Sequence, residues 1–93
     1  MELINTQSGP SIDFDGTILV LSEIKSVSRP QLVQTRSTFH TYGIVIGMKG
    51  SAVSRWHYTT DIGYPKYNDE SEVQRVIDEL MVHYNALMNH WKL

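Results

Sequence analysis

Three observations point to an α+β domain, an antiparallel β-meander of three to five strands with one long C-terminal amphipathic helix packed on one face. First, apolar residues recur at Val73, Val76, Ile77, Leu80, Met81, Tyr84, Leu87, Met88 and Trp91. At about 100° per residue they form one continuous stripe roughly 140° wide. Second, residues 39–48 and 52–60 are rich in aromatic and β-branched side chains and flank Lys49-Gly50-Ser51, a turn in which glycine supplies positive φ without strain. Third, 93 residues with 41% hydrophobic and 19% charged content suit a single domain, residues 1–93, with one small core.

The elements follow in order. Asn5 to Pro10 is a turn-rich lead-in. Ile12-Asp13-Phe14-Asp15 alternates as a short strand, and Gly16 breaks it. Ile18 to Leu21 is an unbroken apolar run that is buried on both sides or turns into the core, and Ser22-Glu23-Ile24 reads as a tight turn. Lys25 to Thr35 is extended, and Pro30 places it at a sheet edge or a bulge. In the strand from Phe39 to Met48, Tyr42, Ile44, Ile46 and Met48 share one face, and Thr41, Gly43, Val45 and Gly47 share the other. Strict alternation in the returning strand sends Trp56 and Tyr58 toward the helix and Val53, Arg55, His57 and Thr59 away from it. Asp61 to Asn68 is a loop, with a trans Tyr64–Pro65 bond expected. The helix starts near Asp69 to Ser71, where Asp69 with Glu72 and Ser71 with Gln74 are competing capping boxes. Asp69, Glu70 and Glu72 suit its positive end, and His90 and Lys92 suit the other.

Composition narrows the function classes. The chain has no cysteine, so thiolate chemistry and disulfides are excluded. The first residues lack the basic and apolar regions of a signal peptide, and no apolar run approaches the ~20 residues of a membrane span, so no membrane association and a cytoplasmic location are expected. The net charge of −2 is unevenly spread: residues 1–24 carry −4, residues 25–66 carry +5 and residues 67–93 carry −3. Adjacent elements of opposite sign attract one another, and the basic middle is also a candidate face for an anion.

Sites of reaction chemistry are not evident. His83 and His90 lie two helical turns, about 10 Å, apart and cannot share an ion, while Glu79 and His83 form an ordinary i,i+4 pair. No serine sits in a Gly-x-Ser-x-Gly setting, and Asp13 and Asp15 have no pocket-forming element around them. The glycines around Lys49 do not match the Walker spacing or a dinucleotide fingerprint. No catalytic residue, metal ligand or cofactor is assigned, and an enzyme is not expected.

Two short stretches bear on nucleic acids. Gly47-Met48-Lys49-Gly50, within residues 45–53, resembles the GxxG loop of KH domains, whose backbone clamps nucleotide phosphates between two helices. Here the flanks are β-rich and the strand that KH domains place before the last helix is missing, so the hairpin reading is retained. His40 to Gly47 resembles the first ribonucleoprotein motif of RRM domains, but Ile44 and Gly47 replace two of its aromatics and the βαββαβ order is absent. What remains is the interleaving of bases and aromatics in Arg55-Trp56-His57-Tyr58, which is the alternative function: nucleic-acid or nucleotide binding through Arg29, Arg36, Lys49, Arg55 and His57.

The stronger functional signal is an interface. Val82 and Ala86 lie on the polar side of the helix, well clear of the stripe, and Trp91 and Leu93 are large apolar residues at its end. Val45 and Val53 occupy a sheet face that nothing left in the chain covers. Together they predict a small non-enzymatic binding, adaptor or inhibitor protein acting through protein–protein contacts, with a homo-oligomer expected. Its size and style are those of bacterial and phage accessory proteins.

Overall fold

Two tight hairpins open the chain. In the computed structural model, which describes residues 1–91, β1 (Leu3–Thr6), β2 (Gly9–Phe14) and β3 (Thr17–Val20) form a three-stranded antiparallel sheet in that order. The residues expected as a lead-in are thus a strand and its turn, centred on Gln7-Ser8 and tied by the Thr6 hydroxyl, which donates to the Gly9 carbonyl at 2.9 Å. The second turn is Asp15-Gly16, with φ of 55° and 77°. Positive φ at both central residues is the backbone of a two-residue hairpin whose twist matches its strands.

The second sheet is built around β6 (Phe39–Met48). β7 (Arg55–Gly63) pairs along one side of it. On the other side lie two short strands end to end: β4 (Ile24–Val27) against the C-terminal end of β6, and β5 (Gln31–Thr35) against its N-terminal half. Arg29-Pro30 separates them, as expected for proline on an edge. Ser28 bridges the break: its N–H donates to the Val45 carbonyl at 2.9 Å, and its hydroxyl accepts from the Val45 N–H at 2.8 Å. Seven strands in two sheets therefore replace a single meander of three to five, within the same α+β class.

The helix α1 (Glu70–His90) starts at Asp69, whose carboxylate accepts from the Ser71 N–H at 2.9 Å. The Tyr64–Pro65 bond before it is cis, not trans. The stripe faces the sheet as its spacing predicts, and makes two cores. Val76 and Leu80 bury against Tyr42 and Ile62. Leu87 buries with Ile24, Ile44 and Ile46 and with Ile12, Phe14 and Leu19 of the small sheet. Helix and small sheet thus both pack on the inner face of the large sheet. Among the described residues, no helix is long and apolar enough to cross a membrane.

Candidate functional site

The faces of β7 are decided by one extra residue. Tyr42 pairs with Thr60, yet Ile44 pairs with His57, so Tyr58 and Thr59 together oppose Gly43. Such a bulge inverts the side-chain alternation on everything before it. Its geometry is specific: Tyr58 takes φ of 54°, a left-handed conformation that an aromatic residue rarely adopts. Gly43 suits the position opposite it, since a Cβ there would be crowded, 3.2 Å from the Thr59 methyl and 3.3 Å from the His57 carbonyl oxygen.

Asp15 holds the bulge in place. Its carboxylate accepts from the Tyr58 N–H at 2.8 Å, and its own N–H donates to the Tyr58 hydroxyl at 3.0 Å. The two non-glycine residues with positive φ are therefore clamped to each other. The Tyr58 ring sits edge-on to Phe14, with centroids 4.8 Å apart, and stacks on His83 of α1 at 3.7 Å. Hairpin turn, bulge and helix meet at this one side chain.

The inversion corrects the expected faces. His57 points inward, is 4% exposed and lies 5.5 Å from the Phe14 ring. Burial pushes its pKa below the ordinary 6.5; the Asp15 charge works against that shift and the Arg55 charge adds to it. Arg55 lies opposite Ile46, also on the inner side, and Trp56 lies opposite Val45 on the outer side, 45% exposed. Alternation alone had sent Trp56 in and His57 out. Tyr58 faces the core as expected, because the extra residue lies at its own position and the next.

The outer face of the large sheet carries Val45 and Trp56, and Trp56 borders a hollow of about 520 Å³ lined also by Gln34, Arg36, Phe39, Thr41, Thr59 and Asp61. The Arg36 guanidinium lies 5.9 Å from the Phe39 ring centroid, and the buried Thr41 hydroxyl donates to the exposed Asp61 carboxylate at 2.6 Å. One cation, one anion and two aromatic rings thus share an uncovered surface. At the far end of that face Gly47 leaves room for Ser26, whose hydroxyl oxygen would lie 2.7 Å from a Cβ.

A second recess opens on the inner side, between β3 and the connection from β6 to β7. It encloses about 260 Å³. Leu19, Ile46 and Met48 line it with Arg55 and His57. Ile18, 50% exposed, and Val53, 71% exposed, also line it.

The residues singled out from sequence separate accordingly. Of the interface set, Val45 is on the uncovered face, whereas Val53 belongs to the connection before β7 and lines the inner recess. Val82 stands on the solvent side of α1 at 67% exposure, while Ala86 is half-buried. Trp91 packs against the core that includes Leu87, and Leu93 lies outside the described residues. The basic set does not form one face. Arg29 is at the break between β4 and β5, Arg36 precedes β6, and Lys49 follows it, about 30 Å along a ten-residue strand. Arg55 and His57 point to the opposite side from Arg36. Among the described residues, no three His, Asp or Glu side chains converge as metal ligands.

Sequence reasoning missed Phe39, Gln34, Thr41 and Asp61 as neighbours of Trp56. The isolated Gly43 inside a strong strand was the available signal for a bulge. Comparison with protein-family models, with curated proteins and with solved structures gives no match to this chain.

Proposed function

We propose that this chain is a non-enzymatic binding protein that works through the outer face of its large sheet, with a second copy of itself as partner. The observation that carries the reading is Trp56, turned to solvent by a bulge that holds a tyrosine in a left-handed conformation. Bulges re-aim side chains at working surfaces, and a backbone cost of this kind persists where the surroundings hold it. Trp and Arg are the side chains that most often dominate interface energetics.

The charges on the face suit self-pairing. Arg36 and Asp61 line the same hollow, and a two-fold axis through it brings Arg36 of one protomer toward Asp61 of the other. Trp56 then enters an apolar contact with Val45 and Phe39 of the partner copy. The test is solution mass by light scattering over a wide concentration range, read alongside Trp fluorescence. The expected result is a monomer–dimer equilibrium, with a blue shift of emission on association. Trp56→Ala abolishes it while the melting temperature stays within a few degrees. A wild-type chain that stays monomeric at millimolar concentration overturns the proposal, as does a dimer unchanged by Trp56→Ala.

A further inference from the structure

We infer that the inner recess between β3 and the β6–β7 connection is a binding site for a small monocarboxylic acid with a short apolar body. The inference is independent of the outer face, because Arg55 and His57 point to the opposite side of the sheet from Trp56.

Size comes first. A volume of about 260 Å³ falls below the ~300–1,000 Å³ of sites for drug-sized ligands, so the occupant is small. Its body is apolar, because the walls are Leu19, Ile46 and Met48, and Ile18 and Val53 extend them outward. Ile18 at 50% and Val53 at 71% exposure are apolar side chains left in water beside a recess that a ligand would cover.

Charge selects the head group. Arg55 is the single cation lining the recess, and among the described residues it forms no ion pair. A guanidinium meets a carboxylate through two parallel hydrogen bonds. His57 beside it is buried and carries no charge near neutrality, so it adds a hydrogen-bonding group and no second cation. Asp15, whose charge reaches His57, does not line the recess. One positive charge therefore matches one negative charge, which favours a carboxylate over a phosphate monoester.

The probe is octanoate, titrated into the full chain at neutral pH and followed by backbone amide NMR shifts, with octan-1-ol as the uncharged control. Octanoate is expected to move signals of residues 17–19, 46–48 and 51–57, and to bind at least fivefold more tightly than octan-1-ol. Arg55→Gln weakens octanoate about tenfold without changing the affinity for the alcohol, as loss of a charged hydrogen-bonding partner requires. Ile18→Ser, at an exposed position, weakens both ligands. Equal affinity for acid and alcohol overturns the inference, as does an Arg55→Gln variant that binds octanoate like the wild type, or shifts confined to the outer face around Trp56. The mass of Arg55→Gln in solution stays that of the wild type, which separates this result from the fate of the dimer.

Discussion

Replacing Asp15 tests whether the clamp on the bulge contributes to stability, and three substitutions separate its parts. The side chain does two things: it accepts a charged hydrogen bond from the Tyr58 N–H, and it tolerates φ of 55° in the hairpin turn. A hydrogen bond to a charged group contributes about 1.5–3 kcal/mol, and because Asp15 is exposed the lower figure applies. Placing an ordinary side chain at left-handed φ costs about 1 kcal/mol relative to glycine. Asp15→Gly therefore loses about 1.5 kcal/mol from the missing bond alone. Asp15→Ala loses about 2.5 kcal/mol, since strain is added to the same loss. Asp15→Asn keeps an acceptor and tolerates the conformation, so it loses only about 0.5 kcal/mol. For a domain of this size 1 kcal/mol shifts the melting temperature by ~4–8 °C, so the three variants are resolved by thermal or urea unfolding followed by circular dichroism. The order Ala, Gly, Asn from most to least destabilised is the required outcome. If Asp15→Ala and Asp15→Gly are equal, the left-handed strain argument fails; if both match the wild type, the clamp holds nothing.

Two further outcomes follow from the same region. His57 is buried neutral and holds its proton less readily than in the unfolded chain, so below pH 6.5 the unfolded state binds the proton first. Stability then declines as pH falls from 6.5 through the lowered folded value and levels off beneath it, with a slope of at most about 1.4 kcal/mol per pH unit; His57→Gln flattens this segment of a urea-unfolding pH series, and an unchanged slope would rule out His57 as its source. Gly43→Ala sets a gain of about 0.4–1 kcal/mol from reduced freedom of the unfolded chain against overpacking of about 1–3 kcal/mol on Thr59 and the His57 carbonyl. A net loss near 1 kcal/mol is expected in urea melts, partly recovered by adding Thr59→Ser, and a net gain would mean that the bulge yields freely.

Much of this architecture is legible in the residues. The nine-residue stripe of α1 places Val76, Leu80 and Leu87 in the core, and Asp69, one of the two caps that the sequence offers, caps the helix through the Ser71 N–H without a reciprocal bond from Glu72. Pro30 marks the broken edge strand. The Asp15-Gly16 pair is a strong hairpin signal between alternating residues, and reading Gly16 only as a strand breaker conceals the whole first sheet. The outer face is harder to read, because period-two alternation holds only while the register is unbroken. One extra residue at Tyr58-Thr59 exchanges Trp56 with His57, and with them the surface that can meet a partner. The strand's own composition does not reveal that exchange; Gly43, on the neighbouring strand, is where it leaves a mark.

Among the described residues, Tyr58 alone packs against both hydrophobic clusters. The two clusters are also spanned by β6 and α1, since Tyr42, Val76 and Leu80 lie in one and Ile44, Ile46 and Leu87 in the other. One cluster draws on the small sheet, β4, Ile44 and Ile46 of β6 and the last turns of α1; the other draws on the first half of α1 with the Tyr42 and Ile62 region of the large sheet. Amide exchange measures how far the two clusters open together. The residue that holds a left-handed conformation to turn Trp56 outward is thereby also the one that ties the small sheet, through Phe14 and Asp15, to His83 of the helix.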